Sequence, residues 1–104
     1  MTSAEIGLSG EQHVTADLVS KGYYCNRNTR LPGCTDIEAT RGTFAVLVQV
    51  KTAVYPETPA ILSTEEFKAI TGRAKRKGWQ AWLAQVQIDR FGARLGEINY
   101  VQAS

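Results

Sequence analysis

The sequence predicts an α/β domain, a mixed central sheet flanked by helices in the order α-β-β-β-α-β-β. Three observations carry that prediction. Residues 44–51 (FAVLVQVK) put Phe44, Val46, Val48 and Val50 on one face and Ala45, Leu47, Gln49 and Lys51 on the other, because strand side chains alternate. A strand apolar on both faces sits in the middle of its sheet with layers above and below it. Ser9-Gly10-Glu11-Gln12 and Ser63-Thr64-Glu65-Glu66 each open a helix with capping-box spacing, a serine followed three positions on by Gln or Glu. The short turn Arg41-Gly42-Thr43 makes the central strand one arm of a hairpin, whereas the strand after the second helix must return through a crossover and run parallel to it.

Each element follows in order. The first helix is predicted over residues 10–21, stopped by Lys21-Gly22, with Glu11, Val14 and Leu18 on one stripe at i, i+3 and i+7. That stripe faces the sheet, so Glu11 points inward or close to it, and His13, one position off, falls on the surface. Residues 23–29 (YYCNRNT) are aromatic at one end and polar at the other, the signature of a strand near an edge. Arg30 to Thr35 is read as a loop by its Pro32-Gly33 pair, and residues 36–40 as the second strand. Residues 53–62 contain Pro56 and Pro59 and cross irregularly to the second helix. Phe67, Ile70 and Ala74 form the inward stripe of that helix, which runs to Lys77 and stops at Gly78. Residues 79–88, with Trp82, Ala84, Val86 and Ile88 on one face, and residues 94–101 complete the sheet.

A chain of 104 residues holds one core, so residues 1–104 are read as a single domain in which recognition and chemistry share one scaffold. A net charge of +2 permits a polyanionic partner without requiring one. Cys25 and Cys34 have no second pair to complete a zinc site. No basic leader or apolar run of membrane-spanning length is present, which makes a cytoplasmic, reduced protein with no membrane partner the expectation.

The hairpin sets Asp36, at the start of one arm, beside Lys51, at the end of the other. Gln49 and Lys51 share a face about 6–7 Å apart, and Glu11 arrives from the helix packed beneath. A carboxylate, an amide oxygen and the Val50 carbonyl are hard oxygen donors of the kind that suit Mg2+, with Mn2+ as its substitute. With Lys51 beside them they fit the hydrolysis of a phosphodiester, in which a metal activates water and an ammonium stabilises the developing charge. Glu38, two residues after Asp36, is a reserve ligand. Arg73, Lys75, Arg76 and Lys77 complement the dipole at the end of the second helix and also form a surface that can meet a phosphate backbone.

The series Gly7-x-x-Gly10-Glu11, then Thr35-Asp36, then Gln49-Val50-Lys51 resembles the PD-(D/E)XK nuclease superfamily, and the order of elements is similar to its archaeal Holliday-junction-resolvase-like branch, over about residues 7–101. The resemblance implies a restriction-endonuclease-like sheet, DNA as partner, and a homodimer presenting two sites to two strands. It implies further that Glu11 and Asp36 are metal ligands, that Gln49 stands where the second acid is usual, and that Lys51 is the catalytic lysine. Two departures matter: Thr35 replaces the proline common before the acid, and Gln49 removes one negative charge, which weakens the hold on a cation. A Mg2+-dependent endonuclease is the expected function. A nuclease-fold module that binds DNA without cutting it and a structural domain with a buried ion network are the alternatives.

Overall fold

The computed structural model describes the backbone of residues 1–31 and 34–104 and the side chains of residues 1–27 and 37–104. The elements are α1 (Ser3–Ser20), β1 (Tyr24–Leu31), β2 (Cys34–Arg41), β3 (Phe44–Val54), α2 (Thr64–Lys77), β4 (Gln80–Ile88) and β5 (Arg94–Gln102). They form one five-stranded sheet in the order β1-β2-β3-β4-β5. β3 and β4 are parallel and the remaining neighbours antiparallel, so the predicted mixed sheet with β3 at its centre is the fold observed.

The central strand is covered from both sides, as its double apolar face requires. Val46 and Val48 pack with Val14 and Leu18 of α1, and with Ile37, Val86 and Ile88, in the larger core. Leu47 packs with Ile70 and Ala74 of α2 and with Ala81 in the smaller one. The α2 prediction holds at both ends. Ser63 accepts from the Glu66 N–H at 3.1 Å, and Gly78 takes the left-handed φ of 73° that a helix-ending residue without a Cβ adopts readily.

Three expectations need correction. The first helix starts at Ser3 rather than Gly10, because Thr2 and Glu5 form a complete capping box one turn and more earlier, and Ser9 is left to donate from its hydroxyl to the Gly92 carbonyl at 3.0 Å. His13 is not a free surface residue. Its Nε2 lies 2.7 Å from the same carbonyl, so Ser9 and His13 together tie α1 to the turn before β5. Phe67 leaves the inward stripe of α2 and is 45% exposed, while Ile70 and Ala74 make the buried contact with Leu47 and Ala81, edged by Leu62, Trp79 and Ala103. The strands overrun their predicted ends by a few residues. β3 continues to Val54 because its parallel ladder with β4 runs unbroken from Val46↔Gln80 to Val54↔Ile88. The predicted Pro32-Gly33 turn lies outside the described residues, and Cys25 carries a free thiol.

α1 approaches β3 closely enough that only glycine fits. A Cβ built on Gly10 would lie 1.7 Å from Thr52 Oγ1 and 2.8 Å from Thr52 Cβ, whereas one on Gly7 meets nothing within 4 Å. Gly10→Ala should therefore destabilise the fold by about 1–3 kcal/mol through overpacking, while Gly7→Ala should stabilise it by about 0.5–1 kcal/mol through helix propensity. Urea unfolding of the two variants beside the parent checks both, and equal effects would contradict the close approach.

Candidate functional site

β3 delivers two polar side chains into the space beneath the start of α2. Gln49 is the one buried polar side chain among the described residues, 8% exposed, and its Nε2 donates to Glu66 Oε2 at 3.3 Å. Lys51, two residues on and therefore on the same face, donates from Nζ to the same oxygen at 2.5 Å. The other carboxylate oxygen of Glu66, Oε1, accepts from the Ser63 backbone N–H at 2.9 Å. The capping box thus fixes the glutamate from behind while β3 engages it from the front.

The position of Glu66 follows from chain order. A crossover helix begins toward the C-terminal side of the strand it leaves, so the first turn of α2 lies over the second half of β3. The helix then runs back across the sheet, and Lys77, in its last turn, comes within 3.9 Å of Glu38 on β2. In sequence, Ser63-x-x-Glu66 reads as a cap alone. The signal for its second role is that same crossover rule, which sets the third residue of α2 beside the residue that closes the strand's polar pair.

Gln49 and Lys51 are brought together as expected. Asp36 belongs to β2, where it pairs with Asn28 of β1, and the next residue, Ile37, pairs with Val48 of β3. Its backbone therefore lies in the strand beside Gln49, and its side chain lies outside the described residues. Val50 pairs with Ala84 and turns its side chain into the core on the α1 side. Glu11 is not brought to Lys51. It pairs with Arg27 of β1, Oε2 to Nη2 at 2.9 Å and Oε1 to Nε at 3.3 Å. This pair is on the α1 side, where Gly10 abuts Thr52, and Thr52 and Lys51 are consecutive strand residues with opposite faces. Glu11 thus stands near the same end of β3 as Lys51, across the sheet from it.

The basic end of α2 divides in two. Lys77 is engaged, close to Glu38 and 4.8 Å from the centre of the Trp79 ring. Lys75 and Arg76 are exposed and Arg73 is half-buried. Lys75 joins Lys68, Thr71, Gly72 and Trp79 in lining a shallow surface groove.

On the α2 face of β3, the Glu66 carboxylate and the Gln49 amide bring side-chain oxygens next to Lys51. Among the described residues no three His, Cys, Asp or Glu side chains group closely enough to hold a metal ion. The Lys51 hydrogen bond holds the Glu66 carboxyl below the usual glutamate range, helped by the Ser63 N–H and opposed by burial.

No protein-family model matches the chain, and a search of curated proteins finds no match. The architecture itself is informative: a five-stranded mixed sheet with a helix on each face, in this connection order, is a restriction-endonuclease-like fold. The solved structure of Hjc, a Holliday junction resolvase from the archaeal hyperthermophile Archaeoglobus fulgidus, is similar to it, with a TM-score of 0.70 over 93% of this chain and 72% of that one. The two are 21% identical in sequence, so the likeness is one of fold.

The Glu66 ion pair has a consequence for acid stability. A carboxyl whose folded pKa lies below its unfolded value stabilises the fold fully above the unfolded value and loses that contribution as pH falls through the folded one. Both partners are about a quarter exposed, 25% and 29%, which limits the pair to no more than about 1 kcal/mol. Unfolding free energy measured from neutral pH down to the acid range should fall less steeply in Glu66→Gln than in the parent. Parallel curves would show that the pair contributes nothing.

Proposed function

We propose that the chain is a metal-dependent endonuclease that hydrolyses DNA phosphodiester bonds at the C-terminal end of β3. The observation that supports this most directly is the placement of Gln49 and Lys51 side by side on the α2 face of the central strand, on the fold of a known junction resolvase. The hard oxygens of Glu66 and Gln49 form the nucleus of a site for Mg2+ or Mn2+, to which Asp36 and the Val50 carbonyl add donors from the paired strand and from β3 itself. A divalent cation bound there would polarise the phosphate and lower the pKa of a bound water. Lys51 has the charge and reach to stabilise the negative charge that builds on the phosphate oxygens. In this reading Glu11 guards the opposite face, and it becomes a ligand only by leaving Arg27 and reaching past the end of the sheet.

The substrate we favour is branched DNA of the kind named for the similar archaeal resolvase. A domain of 104 residues contacts little DNA alone, and cutting two strands symmetrically calls for two copies, so we propose a homodimer. Purified protein should cut a four-way junction or plasmid DNA with Mg2+ or Mn2+ and stop when the metal is chelated. Lys51→Ala should lower the rate by about 100-fold or more, and unchanged cleavage by that variant would overturn the assignment.

A second reading, a DNA-binding module without turnover, draws on one specific feature. Gln49 gives the strand an amide where an acid would strengthen the hold on a cation, and the carboxylates of Glu66 and Glu11 are both met by cations of the chain itself. Salt-sensitive DNA binding with no metal-dependent cutting would select it. In either reading, Lys75 and Arg76 meet the phosphate backbone. Replacing both by alanine should reduce the slope of log K against log salt by about 0.9 for each phosphate left without its cation, as measured by fluorescence anisotropy across a salt series. An unchanged slope would remove the end of α2 from the interface.

A further inference from the structure

We infer that Glu66 supplies the carboxylate that β3 lacks at Gln49, and that Lys51 holds that carboxylate as an internal counter-ion until a divalent cation takes its place. The inference deepens the endonuclease reading and rests on it.

The chemistry starts from a shortage. With glutamine at position 49, β3 carries a single acid-free Gln-x-Lys pair at its end, and an amide oxygen alone attracts a divalent cation weakly. Glu66 is the carboxylate that the structure sets against this pair. One of its oxygens, Oε2, contacts both the Gln49 amide at 3.3 Å and the Lys51 ammonium at 2.5 Å. It therefore bridges the two polar side chains of the strand with one carboxylate oxygen.

The geometry also explains why this glutamate is fit for the task. Its Oε1 is bound by the Ser63 N–H at 2.9 Å, and Ser63 in turn caps the Glu66 N–H at 3.1 Å, so the side chain is fixed in direction before any ligand arrives. Pre-positioned donors cost less ordering on binding than free ones. One oxygen is committed to the cap, which leaves Oε2 as a single-point ligand. The amide of Gln49 turns its Nε2 to Glu66 in the arrangement with Lys51, and a half-turn of the amide presents Oε1 on the same side instead. Lys51, displaced from Oε2, keeps its place on the same face of β3 and is freed for the phosphate.

Three variants test this by a binding measurement with Mn2+ alone, counting free Mn2+ by electron paramagnetic resonance. Glu66→Gln keeps the capping box, since glutamine serves at that position as glutamate does, and circular dichroism verifies its fold. It should weaken Mn2+ binding by about tenfold or more. The exchange Gln49→Glu with Glu66→Gln moves the carboxylate onto β3 at unchanged net charge and should return the affinity to near that of the parent. Lys51→Ala removes the competing ammonium and should bind Mn2+ more tightly, by about two- to fivefold.

If the parent binds Mn2+ and Glu66→Gln binds it equally, or if the exchange variant recovers nothing, the assignment of Glu66 is wrong while the endonuclease reading survives on its cleavage assay. If the parent neither binds Mn2+ nor cuts DNA, the reading beneath it fails and this inference with it.

Discussion

A strand covered on both faces can afford polar side chains only where its cover runs out, and that constraint organises this molecule. Val46, Leu47 and Val48 are shut in by α1 on one side and α2 on the other. Gln49 is the first polar residue the strand reaches and is still buried, so its amide must find a hydrogen-bond partner. It finds Glu66. The need to satisfy one buried amide and one half-buried ammonium at the end of β3 thus fixes what the first turn of α2 must carry.

The opposite face obeys the same logic with different means. α1 lies so close to β3 that Gly10 is its only workable residue against Thr52, and Ser9 and His13 bind the helix to the turn before β5 through one carbonyl. Tyr100 of β5 donates its hydroxyl to Asp17 at 2.5 Å, and Lys21 binds the same carboxylate oxygen at 2.9 Å. α1 is therefore fastened at several points along its length to the far edge of the sheet. A helix held in that way keeps Glu11 where Arg27 can reach it, on the α1 side of β1, and separates it from the polar end of β3.

Much of this is legible in the sequence, and what is not has physical causes. The alternation of residues 44–51 reveals the central strand, and Ser63 with Gly78 marks both ends of α2, because these signals are local and each is a hydrogen bond or a backbone angle. The start of α1 is ambiguous because Thr2-x-x-Glu5 and Ser9-x-x-Gln12 both have capping-box spacing in sequence; in the fold Thr2 and Glu5 form the box, and the Ser9 hydroxyl goes to Gly92 instead. Helical spacing draws Glu11 toward Lys51, since it sets the stripe but does not tell which neighbour on the sheet will meet it. The actual partner, Arg27, sits on a strand whose register depends on β2, 16 residues away from Glu11 along the chain. Glu66 reads only as a cap, since a capping glutamate has two oxygens and the local pattern accounts for one.

The two glutamates at this end of the sheet are each paired with a cation of the chain. The pairings differ in what holds them. Arg27 grips Glu11 through two nitrogens, Nη2 and Nε, one to each oxygen, the forked geometry that gives arginine pairs their directional strength. Lys51 touches Glu66 through a single ammonium and a single oxygen, a point contact separate from the cap that holds the other oxygen. Of the two carboxylates, the one closed by lysine is also the one that adjoins Gln49. The same sheet end thus carries a two-point ion pair on one face and a single-point pair on the other, and the proposed metal site belongs with the single-point pair.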